Sequence, residues 1–270
     1  MSKMVIHIGL HKTGTTFLQN HYFPNLSEIS YCSGNFVLDD FGYDKKHNIF
    51  LISNESLSGR PWNLQWIRGI ENDFRYINSF EIAINNIKEV FPHAIIVIVF
   101  RKHGDFLLSL YKQYIQEGGI LNFKNFYNYK GVIRDKDLSF AERINYLKNQ
   151  FEEVHVLSFE KFKSEGLDYY NRFFTSLGCK TGALDNKSKA NSSISGNKIE
   201  ILRKLNRYYP YTPQVIKTVL TISRLTPRKV LQEKLSFWKP SDSRILKDEK
   251  QRVNENFKPD WKRVESQFFK

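Results

Sequence analysis

Seven consecutive residues, Ala94 to Phe100 (AIIVIVF), are apolar and mostly β-branched, and they stop at Arg101. A strand with no polar residue on either side of its pleat must be covered on both faces, as an interior strand of a helix-clothed parallel sheet is. The run is too short to cross a bilayer, which takes roughly 18 to 20 uncharged apolar residues. The flanking sequence supplies the helices. Ser79 to Phe91 places Phe80, Ile84, Ile87 and Phe91 at helical spacing and ends at Pro92, and a second helix is predicted from Asp105 to Glu117.

The same alternation recurs along the chain. Met4 to Gly9 reads as a short strand, Leu10 to Thr13 as a loop, and Gly14 to Tyr22 as a helix stopped by Pro24. Asn48 to Ser53 is a second buried strand and Val154 to Phe159 a fourth, the latter between predicted helices Ser139 to Gln150 and Leu167 to Leu177. Strands alternating with helices imply an α/β fold, a central parallel sheet flanked by helices with right-handed crossovers, and Ala94 to Phe100 reads as its central strand. Beyond Gly178 the texture changes. Lys180 to Lys239 holds 13 Lys or Arg against Asp185, Glu200 and Glu233, opens with a polar loop and continues into helices without a further strand. The expected organisation is an α/β core over residues 1–207 and a basic helical C-terminal extension, 208–270, packed on it.

With 22 Phe, 14 Tyr and 4 Trp the chain has far more to bury than a disordered one. The 41 Lys and Arg against 28 Asp and Glu give a net charge of +13, which admits nucleic acid, an anionic membrane or a polyanionic small ligand and does not choose among them. Cys32 and Cys179 have no partnering His spacing, so no metal site is expected. The opening residues MSKMVIHIGLHKTG lack the apolar segment and cleavage site of a secretory signal, so a location in the cytoplasm, or at the inner face of a membrane, is expected.

In a parallel sheet the strands end on one edge, so the loops after Gly9, Ser53, Phe100 and Phe159 converge on one crevice. Their contents are polar: His11-Lys12-Thr13-Gly14-Thr15-Thr16, Asn54-Glu55-Ser56, Arg101-Lys102-His103 and Glu160-Lys161. GLHKTGTT between a strand and a helix offers glycines for unusual backbone angles, a helix N-terminus, hydroxyls and a lysine, the makings of an anion cradle. It differs from a Walker A loop, because Thr15 follows Gly14 and the lysine has moved forward to Lys12. The long apolar strand ends in Arg101 where a triphosphatase often has a magnesium-binding aspartate. Ser109 lies eight residues on, inside the next helix, so Arg101 and Ser109 can hold a second phosphate and a bisphosphorylated ligand is indicated.

KTGTT after the first strand and R-x7-S in RKHGDFLLS resemble the two donor-binding motifs of sulfotransferases. The resemblance implies a P-loop nucleotide-binding-like core and 3′-phosphoadenosine 5′-phosphosulfate (PAPS) as co-substrate, with 3′,5′-bisphosphoadenosine as product and no metal. It places His11, Lys12, Thr13, Gly14, Thr15 and Thr16 around the 5′-phosphosulfate, and Arg101 and Ser109 on the 3′-phosphate. LISNESL is similar to the segment where several carbohydrate sulfotransferases carry an acidic base, here Glu55. VLSFEKF is similar to a later strand, and KANSSIS, with Asn191 and Ser193, to a loop closing over the donor. The likeness spans Met4 to Arg207 and departs from the pattern at Lys102-His103, where many members have a proline. What it implies is sulfuryl transfer, with Lys12 and Glu55 catalytic, to a hydroxyl or amine of a carbohydrate or glycolipid, in polysaccharide biosynthesis.

Alternatives stay open on the residues themselves. Glu55 is either the base or a helix cap, and His11 and His103, both assigned to the functional edge, compete with it as base. His7 reads as an interior histidine. Residues 212–235 form a basic amphipathic stretch that either packs on the sheet domain or makes peripheral membrane contact. A P-loop kinase or a non-catalytic polyanion-binding module are the other functional classes. Nucleic acid is not an expected partner.

Overall fold

The computed structural model describes residues 3–33, 47–62, 76–181, 196–208, 212–223, 225–231 and 241–269. Its centre is a five-stranded, all-parallel sheet in the order β3-β4-β1-β5-β6, built from β1 (Lys3–Ile8), β3 (Ile29–Ser33), β4 (Ile49–Asn54), β5 (Ile95–Phe100) and β6 (Val154–Ser158). A separate antiparallel pair joins β2 (Leu26–Ser27) to β7 (Lys180–Thr181).

Alternation along each interior strand divides the core in two. Ile6 and Ile8 of β1 and Ile96, Ile98 and Phe100 of β5 face the layer formed by the helices Tyr76–Val90, His103–Gln116 and Phe140–Gln150. Val5, Ile95, Val97 and Val99 face the other layer, with Leu18, Tyr22, Tyr170 and Phe174. This is the two-sided covering that an unbroken β-branched run requires. The fold is therefore α/β, with a central parallel sheet flanked by helices.

Four expectations need correction. The middle strand is β1, not Ala94 to Phe100, because Val5–Ile8 is as buried as β5 and apolarity does not encode rank within a sheet. The edge strand β3 (ISYCS) was not expected: it is half-buried and its polar residues conceal its pairing with β4. A strand also occurs beyond Gly178, the two-residue β7. The helix expected from Gly14 starts at Thr15, runs to Phe17 and continues as a π-helical stretch, Leu18–Tyr22.

From β4 the chain passes over β1 to reach β5, so the direction of strand addition reverses at β1, and the crevice opens at the carboxyl ends beside it. The helix Arg244–Asn256 packs on His103–Gln116, and Lys258–Phe268 packs on Phe140–Gln150. The first approach is close enough that a Cβ at Gly104 would collide with the Lys250 carbonyl, while the Gly104 amide donates to Asn254 Oδ1 at 2.8 Å. Among the described residues no helix is long and apolar enough to cross a membrane.

Candidate functional site

The loop after β1 is held in shape by its own residues and by the short turn Glu55–Ser58 that follows β4. Lys12 has φ 65° and Gly14 φ 86°, so two left-handed residues flank Thr13, and the first has a side chain. A non-glycine residue in this region costs free energy and persists only where neighbours impose it. Here the neighbours are visible. The Lys12 amide donates to Glu55 Oε1 at 3.2 Å, Ser58 Oγ donates to the Gly9 carbonyl at 2.9 Å, and His11 Nε2–H donates to the Gly59 carbonyl at 2.9 Å.

The hydroxyls divide their duties. Thr13, fully buried, donates to the Leu10 carbonyl at 2.5 Å and so shapes the loop. Thr15 is buried against Gly9, where a Cβ would clash with its side chain. Thr16 is exposed and Lys12 half-buried. Thr13 and Thr15 thus build the cradle, and Lys12, Gly14 and Thr16 form the part of it nearest solvent.

Glu55 faces this loop. Its Oε1 also lies 3.4 Å from His11 Nδ1. Burial pushes the carboxyl upward, but the hydrogen bond and charge of His11, the Lys12 amide and the Lys12 ammonium outweigh it and hold Glu55 below the usual glutamate range. Lys12 is displaced downward, first by burial and then by the Arg101 charge, with Glu55 opposing. The cap of this turn is Asn54, whose side chain accepts from the Ser56 amide at 2.8 Å. The cap alternative therefore falls on Asn54 and leaves the Glu55 carboxylate directed at the loop.

Arg101, the first residue after β5, donates from Nη1 to the Lys12 carbonyl at 3.1 Å and lies 3.8 Å from Asp105. Its Nε is buried and has no hydrogen-bond partner among the described residues. The guanidinium stacks 4.9 Å from the centre of the Phe159 ring, Lys163 Nζ lies 4.9 Å from the same ring, and the ring closes against Gly14. Ser109 is half-buried in the helix His103–Gln116, one turn beyond Asp105 and on the same face. Its hydroxyl makes no hydrogen bond to another described residue, so it does not back-bond within its helix.

His103 stands elsewhere than expected, and His7 is interior as expected. His103 is stacked between Phe140 and Phe257 at 4.1 and 4.9 Å, with Nε2 2.9 Å from Asp260 Oδ2 and 3.0 Å from the Leu138 carbonyl. It faces the C-terminal helices rather than the crevice, because the helix starting at His103 turns its ring inward. His7 is interior but half-satisfied: Nδ1 bonds Ser53 Oγ at 2.8 Å, while Nε2 is buried without a partner among the described residues. Burial drops His7 to about 4, with Glu55 opposing. Asn191 and Ser193 lie outside the described residues.

The sequence reading missed Phe159, Ser58 and Lys163. Phe159 carried a usable signal, since it is the first residue after a strand whose edge it shares with Arg101. Glu160, named only as loop content, accepts from the Lys102 amide at 3.0 Å and orders the start of the Arg101 loop. Among the described residues no group of three or more His, Cys, Asp or Glu is placed to hold a metal ion. The arrangement presents cations (Lys12, Arg101, Lys163) to an anionic ligand, with one ionised carboxylate, Glu55, beside Lys12.

No family model matches the chain, and no curated protein matches it. Among solved structures it is similar to a sulfotransferase from Alicyclobacillus acidocaldarius, at 13% identity and a TM-score of 0.44, over 92% of this chain and 99% of that one.

Proposed function

We propose that the crevice transfers a sulfuryl group from PAPS to a hydroxyl or amine of a carbohydrate or glycolipid, in the cytoplasm. The observation that carries this reading is the Lys12–Glu55 arrangement: the Glu55 carboxylate, held ionised, accepts from the backbone amide of Lys12 and so stands beside the lysine of an anion cradle, with Arg101 bonded to the same loop. A leaving phosphate needs the first and an attacking hydroxyl needs the second.

In this reaction the acceptor oxygen attacks sulfur as the bond from sulfur to the bridging phosphate oxygen breaks, and the electron pair passes to that oxygen. Lys12 stabilises the charge that develops there, and the exposed Thr16 and the helix N-terminus at Thr15 orient the phosphate. Glu55 receives the acceptor proton on Oε2, since Oε1 holds the Lys12 amide and His11. Arg101 and Ser109 take the 3′-phosphate, with Phe159 keeping the guanidinium in place. An arginine at the end of β5 suits a second phosphate, whereas a magnesium-bound triphosphate calls for a carboxylate.

The deciding experiment is thermal stabilisation by 3′,5′-bisphosphoadenosine, 5′-AMP and ATP, with and without magnesium. At about 100 times its dissociation constant the bisphosphate adds about 2.7 kcal/mol. Preference for magnesium-ATP would establish a kinase instead.

A further inference from the structure

The helix Gln214–Ile222 is built inside out. Val215, Val219 and Ile222 share one face, with Ile216 beside them, and they are 75, 57, 78 and 47% exposed. The two less exposed residues, Lys217 and Leu220, lie on the other side of the helix, towards the protein. No residue of this helix is buried. The expectation that this stretch packs its apolar face on the sheet domain is therefore not met. The preceding helix, Lys198–Tyr208, seats Ile199 and Leu202 in the core yet leaves Ile201, Leu205 and Tyr208 exposed at the same spacing. Of the twelve exposed large hydrophobic residues among those described, eight fall between Ile201 and Leu225. A protein surface rarely leaves so many large apolar side chains exposed along one stretch of chain without a partner.

Charge identifies the partner. From Ile201 to Leu231 the sequence has seven Lys or Arg and no Asp or Glu. Arg203 is paired with Glu200 and Lys217 lies towards the protein, while Lys204, Arg207 and Arg228 are exposed. A sheet of anionic headgroups satisfies such cations without matching them one by one, whereas a protein partner would have to match them singly. Short amphipathic helices with basic flanks lie in such an interface with their apolar side chains at the acyl boundary. The stretch is also anchored: Leu231 is buried, its carbonyl accepts from Lys198 Nζ at 3.3 Å, and Pro227–Lys229 packs on the helix Lys198–Tyr208. Arg228 lies near enough to the crevice for its charge to act on Lys12. We propose that residues 201–208, 212–223 and 225–231 form a docking surface for an anionic lipid bilayer, which brings the crevice to the membrane.

The test is flotation of the full chain with vesicles of phosphatidylcholine alone and of phosphatidylcholine mixed with phosphatidylglycerol. Binding is expected to the mixed vesicles only and to weaken with salt. Val219→Asp and, separately, Lys229→Glu should each lower it about tenfold. Ile222→Ser provides a milder variant, and unchanged melting and an unchanged circular dichroism spectrum show that each variant is folded. Equal binding to both vesicle types, or binding indifferent to Val219→Asp, would overturn the proposal. So would a dimer in the absence of vesicles that Val219→Asp dissociates, since a second copy would then cover the face. None of these outcomes depends on the transferase reading, which the nucleotide measurements test separately.

Discussion

The Glu55 carboxylate accepts a hydrogen bond from the backbone amide of Lys12 at 3.2 Å, across 43 positions of sequence. One oxygen of one side chain thus stabilises the left-handed lysine and sets an ionised carboxylate beside it. Loop shape and acid–base chemistry rest on the same contact, and substitutions can separate them.

Glu55→Gln retains an acceptor for the Lys12 amide and loses the base. Turnover in a sulfate-transfer assay should fall about a hundredfold, with donor affinity and melting temperature nearly unchanged. Full activity in this variant, with collapse in His11→Ala, would move the base to His11.

Lys12→Ala should reduce turnover more than donor affinity, because the ammonium gains most as charge reaches the leaving phosphate. The expected loss is about 3 kcal/mol in the barrier, a hundredfold or more in rate. Normal turnover at saturating donor would make Lys12 a binding residue only.

Arg101→Ala should abolish the preference for 3′,5′-bisphosphoadenosine over 5′-AMP in calorimetric titration, through loss of charge-assisted hydrogen bonds to the additional phosphate. Phe159→Leu removes the ring under the guanidinium and should weaken that preference in part. An undiminished preference in Arg101→Ala would place the 3′-phosphate elsewhere.

His7 makes stability depend on pH. Its folded-state value is about 4 against an ordinary 6.5, so between these values the unfolded chain binds a proton that the folded protein does not. Its contribution is therefore complete above pH 6.5, declines as pH falls to 4 and is gone below, a change of about 3 kcal/mol. Chemical denaturation across this window should show a steeper loss in the parent than in His7→Gln. Identical slopes would contradict the assignment.

His103→Ala should destabilise the fold by about 3 kcal/mol by opening a buried stack and unpairing Asp260, which also accepts from the Phe140 and Ala141 amides. Turnover per folded molecule should be retained, which a combined melting and activity measurement would show. A selective loss of turnover would return His103 to the crevice.

The parallel sheet and the approximate span of its buried strands were legible because a strand covered on both faces must be apolar throughout, and AIIVIVF, VIHIGL and NIFLIS carry that mark locally. The polar residues at the strand ends were legible for a related reason: parallel strands end together, so the residues after β1, β4 and β5 share an edge. ISYCS carried no such mark, since an edge strand owes its conformation to pairing with β4 rather than to burial. The sequence also showed the amphipathic pattern of 212–235 but not its direction, because periodicity defines a face and says nothing of which way it turns.

By itself the sequence determined the fold class, the glycine-bounded loop and the placing of Lys12, Glu55 and Arg101 at the strand ends, all properties of residues within one turn or strand of each other. Only the tertiary structure decided what those side chains do. It spent Thr13 and Thr15 on the cradle, gave the cap to Asn54 and so released Glu55, placed Phe159 beneath Arg101, and turned His103 into the C-terminal helices. Each of these outcomes depends on contacts between segments far apart in the chain, whose geometry is set by sheet order and helix docking and leaves no local pattern to read.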